Sequence, residues 1–236
     1  MKILYIFPHP DDESFGPAAA ISRQRRAGHE VHLLTLTRGG ATSLRHKHGL
    51  SVGKMGAVRL AEMKQMAKVL DLSGLTVLDL PDSGLKGLDP REIERVLGEQ
   101  IVKIRPAVLV TYPVHGISGF HDHLVTHAVV KREYLELKSA GAAYLKRLAF
   151  YTLDKATAKS NPGIHTLSWS KAEEIGCALK VDERDIAAFN RALDCYETYG
   201  EMIEKTGIRN FKGPVVNFEI FQERHRPPLD DLCRFV

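Results

Sequence analysis

The segment Pro8–Glu13 reads PHPDDE, and the segment His115–His123 reads HGISGFHDH. Each follows a short apolar run, and each sets histidine beside aspartate. In a tight loop His9 and Asp12 can address one point. His123, at the start of a helix, supplies a third donor. Two imidazoles and one carboxylate bind a zinc-like cation and leave one position open for water. Asp11, next to a ligand yet directed elsewhere, is then placed to take a proton from that water. Three successive carboxylates, Asp11, Asp12 and Glu13, repel one another unless a cation lies nearby. The competing reading of PHPDDE is a turn and helix cap, since Pro and Asp favour both. The matching His-Asp-His segment favours the metal. His127 is assigned to a supporting or surface position, and His46 and His48 to solvent. His115 is divided equally between the site and a plain loop. Glu13 is expected to accept a supporting hydrogen bond at the helix start.

The elements that must position these residues alternate. Apolar runs at Lys2–Phe7, Val31–Thr37, Leu75–Leu80 and Ala107–Tyr112 read as buried strands. Between and after them, Ser14–Ala27, Val58–Leu72, Pro90–Ile104 and His123–Leu137 read as helices. Strand–helix alternation predicts a parallel sheet covered on both faces, a Rossmann-like α/β fold. In such a sheet, ligands bind beyond the carboxyl ends of the strands, where both polar segments fall. The second half is less regular. Leu148–Leu153, Thr166–Ser168, Ala178–Lys180 and Val215–Phe221 are strand candidates, and Arg184–Ile203 reads as one long helix. Gly39–Gly56, rich in glycine and polar residues, reads as a mobile loop.

Composition sets the class. The chain has 236 residues, 44% hydrophobic and 26% charged, which suits one globular α/β domain over residues 1–236 and excludes wholesale disorder. Three cysteines, without CxxC spacing, exclude a disulfide scaffold and predict a reducing, cytoplasmic setting. The apolar runs are too short to span a bilayer or to form a signal peptide, so no membrane partner is expected. A net charge of +4, from 33 basic and 29 acidic residues, gives no warrant for nucleic-acid binding. A homo-oligomer is compatible with this composition. PHPDDE lacks the GxGxxG glycines, and its carboxylates repel a pyrophosphate, which weighs against a nucleotide-binding module.

The sequence resembles the PIG-L/LmbE-like deacetylases, zinc enzymes that remove acetyl from N-acetylglucosaminyl groups. The resemblance runs over nearly the whole chain. It includes PHPDDE, LTLTRGG, RLAEM at Arg59–Met63, LPDSG at Leu80–Gly84, GISGFHDH and the ending FEIFQERHRPPLDDL. It implies His9, Asp12 and His123 as ligands of one Zn2+ and Asp11 as general base. It further implies Arg59 and Asp82 as holders of sugar hydroxyls, with Arg38 nearby. The substrate it implies is a small N-acetylated amino sugar or its conjugate.

One position departs from the family pattern. The family's G-H-P-D-H becomes Gly119-Phe120-His121-Asp122-His123, so Phe120 stands where a histidine steadies the oxyanion. Phenylalanine cannot donate a hydrogen bond. His121, one residue later, is taken as the working donor. His115 or the cation alone are the alternatives. If none serves, the chain is a metal-dependent sugar-binding protein without turnover.

Overall fold

A computed structural model describes residues 1–160, 165–210 and 213–236. The strands are β1 (Lys2–Phe7), β2 (Glu30–Thr37), β3 (Gly74–Leu80), β4 (Val108–Thr111), β5 (Arg147–Thr152), β6 (Ile175–Lys180) and β7 (Val215–Ile220). They form one sheet in the order β3-β2-β1-β4-β5-β7-β6. The first five strands run parallel, and β7 lies antiparallel to both β5 and β6. The expected Rossmann-like, mostly parallel α/β fold is what the chain adopts.

The helices are α1 (Asp12–Phe15), α2 (Ala18–Arg26), α3 (Leu44–Lys47), α4 (Val52–Val69), α5 (Pro90–Ile104), α6 (His121–Ser139), α7 (Lys155–Ser160), α8 (Glu183–Asp194) and α9 (Gly200–Thr206). β1 is buried on both faces, so it reads as a continuous apolar run. Its side chains alternate between two cores. Ile3, Tyr5 and Phe7 join α2, α4 and α8, while Leu4 and Ile6 join α5 and α6. Local signals fix the helix starts. Ser51 caps α4, Asp89 with Pro90 opens α5, and Asp182 forms a capping box with Asp185 on α8.

Four expectations change. Ser14–Ala27 is not one helix but α1 and α2, parted at Gly16 and Pro17. Pro17 lacks an N–H, and a Cβ on Gly16 would stand 2.6 Å from the Asp12 carbonyl oxygen. The stretch Gly39–Gly56 is not a plain loop, because it holds α3 and the first turns of α4. Thr166–Ser168 forms no strand, and Ser168 N donates instead to the Ile117 carbonyl. Arg184–Ile203 breaks after Asp194 into a 3-10 turn, Glu197–Tyr199, and then α9.

Chain order reverses between β1 and β4, so the crevice at their carboxyl ends is the topological switch point. No helix of the described residues is long and apolar enough to cross a membrane.

Candidate functional site

β1 ends at Phe7 and delivers His9, Asp11 and Asp12 to the crevice. β4 ends at Thr111 and is followed by Tyr112, the loop to Phe120, and the first turn of α6. This brings together residues far apart in sequence: His9 Nε2 lies 3.2 Å from Asp122 Oδ2, 113 residues on. A cavity of about 740 Å³ opens there, walled by His9, Asp11, Asp12, Asp82, His121 and His123 among others.

His9, Asp12 and His123 each present a ligand atom, all within 4.8 Å of one another. His123 Nδ1 lies 2.9 Å from the Gly116 carbonyl oxygen, which can only accept, so Nδ1 is the donor there and Nε2 is the ring nitrogen left to face the site. That Nε2 faces Asp12 Oδ1 at 3.4 Å. His9 is arranged the other way round. Its Nε2 faces two carboxylates, Asp122 at 3.2 Å and Asp82 at 3.4 Å, and its Nδ1 lies 3.5 Å from Asp12 Oδ2. Each imidazole is thereby held from behind by a hydrogen bond, as metal-ligating histidines are.

The electrostatics ask for a cation. Burial alone would lower the His9 pKa, but hydrogen bonds to Asp12 and Asp122 outweigh it and raise the pKa to about 10. Asp12 is held well below the usual carboxylate range, burial being overcome by the two imidazoles. Three carboxylates, Asp12, Asp82 and Asp122, surround His9, and a proton there offsets only one charge. A divalent cation among these N and O donors fits the same place. His9 also belongs to a second donor group with Asp82 and Asp122, and a third group, His29, Asp231 and Cys233, lies at the amino-terminal end of the strands.

Asp11 has φ of 85°, a left-handed turn that separates its carboxylate from that of Asp12. Its Oδ2 accepts from Arg59 Nη2 at 2.5 Å. Burial pushes the Asp11 pKa up, against the pull of Arg59. Arg59, 2% exposed, also donates to the Gly39 and Pro10 carbonyls and lies over the Tyr199 ring. Its terminal nitrogens are engaged by the protein itself. Asp82 Oδ2 accepts from Ala41 N at 2.6 Å, and Asp82 lines the cavity.

Arg38 stands apart. It pairs with Asp79 at 3.3 Å, and it is not among the cavity walls. His121 lines the cavity as the first residue of α6. Phe120 sits just before it, edge-on to His123 with centroids 5.4 Å apart. His115 and Glu13 lie outside the cavity walls. His115 bonds within its loop, and Glu13 accepts from Ser14 and from the Tyr196 hydroxyl at 2.7 Å. His127 is buried against the Tyr112 carbonyl, in a supporting position, and His46 and His48 are exposed.

Several contributors were not singled out from the sequence. Tyr112 donates to Asp12 Oδ1 at 2.8 Å. Asp122 orients His9. His165 lines the cavity edge-on to Phe120, at 5.0 Å. Asp122 had a signal, since it lies inside the His-Asp-His segment. Tyr112 had only its place at a strand end.

The family model described as PIG-L, GlcNAc-PI de-N-acetylase, matches residues 4–134. The chain belongs to the PIG-L family. Among relatives, a 1D-myo-inositol 2-acetamido-2-deoxy-alpha-D-glucopyranoside deacetylase of Thermomonospora curvata is 32% identical over 152 residues, 56% of this chain and 51% of that protein. A probable N-acetyl-alpha-D-glucosaminyl L-malate deacetylase 2 of Bacillus subtilis is 30% identical over 145 residues, 58% and 62% of the two chains. The chain spans about half the length of the first of these relatives. The fold is shared with a deacetylase from the teicoplanin biosynthesis pathway, with a TM-score of 0.72 at 15% identity over 93% of this chain and 97% of that one. It is shared too with the N,N'-diacetylchitobiose deacetylase of Pyrococcus horikoshii, with a TM-score of 0.63 at 17% identity over 93% and 83%.

Proposed function

We propose that this PIG-L family member is a metal-dependent amide hydrolase that removes the acetyl group from an N-acetylglucosamine-type sugar or conjugate. The observation that carries the reading is the convergence of His9, Asp12 and His123, with Asp11 beside them. Relatives named as deacetylases of N-acetylglucosaminyl compounds support it.

His9, Asp12 and His123 would hold one divalent cation, with Zn2+ the first choice for this donor set. When bound, that cation supplies Lewis-acid polarisation of the amide carbonyl and acidifies a water. Asp11 accepts the proton of the attacking water. Arg59 anchors Oδ2, and the other oxygen remains for the proton. Asp11 then returns the proton to the leaving amine nitrogen as the C–N bond breaks. His121, at the cavity wall, donates to the developing oxyanion in place of the family's histidine. Asp82 holds sugar hydroxyls; Arg59, whose terminal nitrogens are taken up by Gly39, Pro10 and Asp11, acts by positioning Asp11, and Arg38, paired with Asp79 outside the cavity walls, touches no substrate. This activity resides in one domain over residues 1–236. Three free cysteines suit a cytoplasmic setting.

The test is acetate release from a panel of N-acetylglucosamine conjugates, with chelator and with metal restored. Release that stops with chelator and returns with Zn2+ supports the reading. The Asp11→Asn protein should keep its metal and lose most of its turnover. Turnover at the parent rate in that variant would remove Asp11 as the base. If the parent binds metal and sugar without releasing acetate, the alternative of a binding protein replaces it.

A further inference from the structure

At the amino-terminal ends of the strands, on the far side of the sheet from the crevice, His29, Asp231 and Cys233 converge. Their nitrogen, oxygen and sulfur atoms lie within 4.8 Å of one another. His29 immediately precedes β2, and its partners come from the carboxyl-terminal segment, Asp231 being 202 residues on. None of the three takes part in the mechanism above.

The segment that carries Asp231 and Cys233 is already held in place by the fold. Leu229 N donates to the Gly176 carbonyl at 2.9 Å, and Ala178 N to the Leu229 carbonyl at 2.8 Å. Arg147, 3% exposed, donates to the Leu232 and Arg234 carbonyls. The Asp231 carboxylate is aimed as well. Its Oδ1 accepts from Cys233 N at 2.7 Å, which leaves Oδ2 to face His29 Nε2 at 3.3 Å. His29 Nδ1 faces the Met1 nitrogen at 3.3 Å. With Nε2 on a metal, Nδ1 would carry the proton of that contact.

An ion pair accounts for His29 and Asp231 but not for the thiol beside them. The Cys233 thiol is free and forms no hydrogen bond among the described residues. Burial, with the Asp231 charge added to it, pushes its pKa up to about 12, so the metal-free protein keeps the proton on sulfur. A bound cation displaces such a proton and removes the conflict between carboxylate and thiolate. The nearest other charges are already matched, Arg147 with Glu223 and Arg234 with Asp230. Asp231 and a Cys233 thiolate would therefore neutralise one divalent cation.

We propose that His29, Asp231 and Cys233 form a second metal site, separate from the catalytic one, for a thiolate-accepting divalent cation such as Zn2+ or Co2+. Imidazole, carboxylate and thiolate are the donors such cations take in tetrahedral geometry, with the fourth position open to water. Hard cations such as Mg2+ and Ca2+ prefer oxygen alone and do not suit it. The Asp231 side chain is 36% exposed, which gives the cation and its water a way in. The bound cation ties the carboxyl-terminal segment to the start of β2. It stabilises the fold and contributes nothing to turnover.

Cobalt reports on the site directly. Co2+ on a thiolate gives an intense sulfur-to-metal charge-transfer band in the near ultraviolet. Co2+ held by His9, Asp12 and His123 gives none, because those residues offer only nitrogen and oxygen. The full chain, stripped by chelator and kept reduced, is titrated with Co2+ at pH 8. The band is expected in the parent and in Cys195→Ser, and is expected to vanish in Cys233→Ser. In His29→Ala the cobalt affinity read from the band should fall about tenfold or more, since losing a ligand costs no less than losing a support behind one. Zinc content after loading should be about two per chain in the parent and about one in Cys233→Ser. His123→Ala should keep the band. No band in the parent at saturating Co2+ overturns the site, as does a band that survives Cys233→Ser or disappears in Cys195→Ser. If Cys233→Ser does not fold, the partly exposed His29 carries the test, and unchanged affinity in His29→Ala overturns the proposal. The band in a protein that releases no acetate leaves this site standing and removes the deacetylase reading. Acetate release without the band does the reverse.

Discussion

Tyr112 stacks on His123, with ring centroids 4.2 Å apart and planes 8° from parallel, while its hydroxyl donates to Asp12 Oδ1 at 2.8 Å. One residue thus fixes two of the three side chains of the proposed metal site, one by its face and one by its tip. Tyr112→Phe keeps the stacking and removes the hydrogen bond. Its expected effect is a loss of about 10- to 100-fold in metal affinity, the usual cost of deleting such a support. Competition with a chelator of known affinity measures it. Unchanged affinity would show that Asp12 is positioned by His9 alone.

His121 and Phe120 can be tested against each other. If His121 donates to the oxyanion, His121→Ala lowers kcat by about 100-fold or more, with KM less affected. Phe120→His then changes little. A rise in kcat for Phe120→His, with His121→Ala silent, would show that the donor is missing in the parent. Both variants silent would leave the role to the cation or to His165, which faces Phe120 across the cavity mouth.

Gly39 has φ of 65°, and a Cβ placed on it would stand 2.2 Å from Arg59 Nη1. Gly39→Ala therefore strains the backbone and displaces the guanidinium that holds Asp11. The expected outcome is a fall in kcat of about tenfold or more, since misplacing a catalytic group by an ångström is costly. Metal content should stay near the parent value. A parent-like kcat would show that Asp11 keeps its orientation without Arg59.

Asp185 is fully buried and receives hydrogen bonds from Ser22 and from two nitrogens of Arg26, which joins α2 to α8. Asp185→Ala takes the partner from Ser22 Oγ and Arg26 Nε, leaves Arg26 Nη2 its bond to Asp182, and removes half of the α8 capping box. Because the Arg26 side chain is 32% exposed, part of its charge is resolvated, and a loss of about 2–3 kcal/mol is expected. That corresponds to roughly 4–12 °C in Tm for a domain of this size. Calorimetry with the metal site kept in one defined state reads it directly.

Burial pushes the Cys177 and Cys233 thiols up to about 12, from an unfolded value of about 8.5. Both stay protonated in the native protein at pH 8, so alkylation there should be slow until denaturant is added. The sign for stability follows. The folded state binds these protons more tightly, so their contribution is complete below about pH 8.5 and is lost as pH rises toward 12. Fast labelling of Cys177 in the native protein would show that its strand opens to solvent.

The parallel half was readable because local and long-range demands agree there. Ile3 to Phe7 are apolar because both faces of β1 are covered, and the His-Asp pairs fall at the strand ends where an α/β sheet offers its crevice. Agreement failed where side chains answer to distant partners. Helical spacing runs through Asp194 to Ile203, yet Tyr196 turns to Glu13 and Tyr199 to Arg59 and Thr42, and the helix breaks to let them. The Gly39–Gly56 stretch looked loose because its restraints lie elsewhere: Asp82 holds Ala41, and Tyr199 holds Thr42. Periodicity placed Tyr112 at the end of a strand, but nothing local says which carboxylate its hydroxyl will meet.

The pairing of β1 with β4, Ile3 beside Val108 and Tyr5 beside Val110, has a consequence for how the protein matures. The proposed metal site cannot assemble until that pairing closes a loop of about a hundred residues, at an entropic cost of about 4 kcal/mol beyond a constant. A newly made chain thus presents His9 and Asp12 as a weak, incomplete chelate, and acquires affinity only when α6 docks. A cation held by these three side chains would join donors on both sides of the β1–β4 pairing and so stabilise the folded state against the unfolded chain.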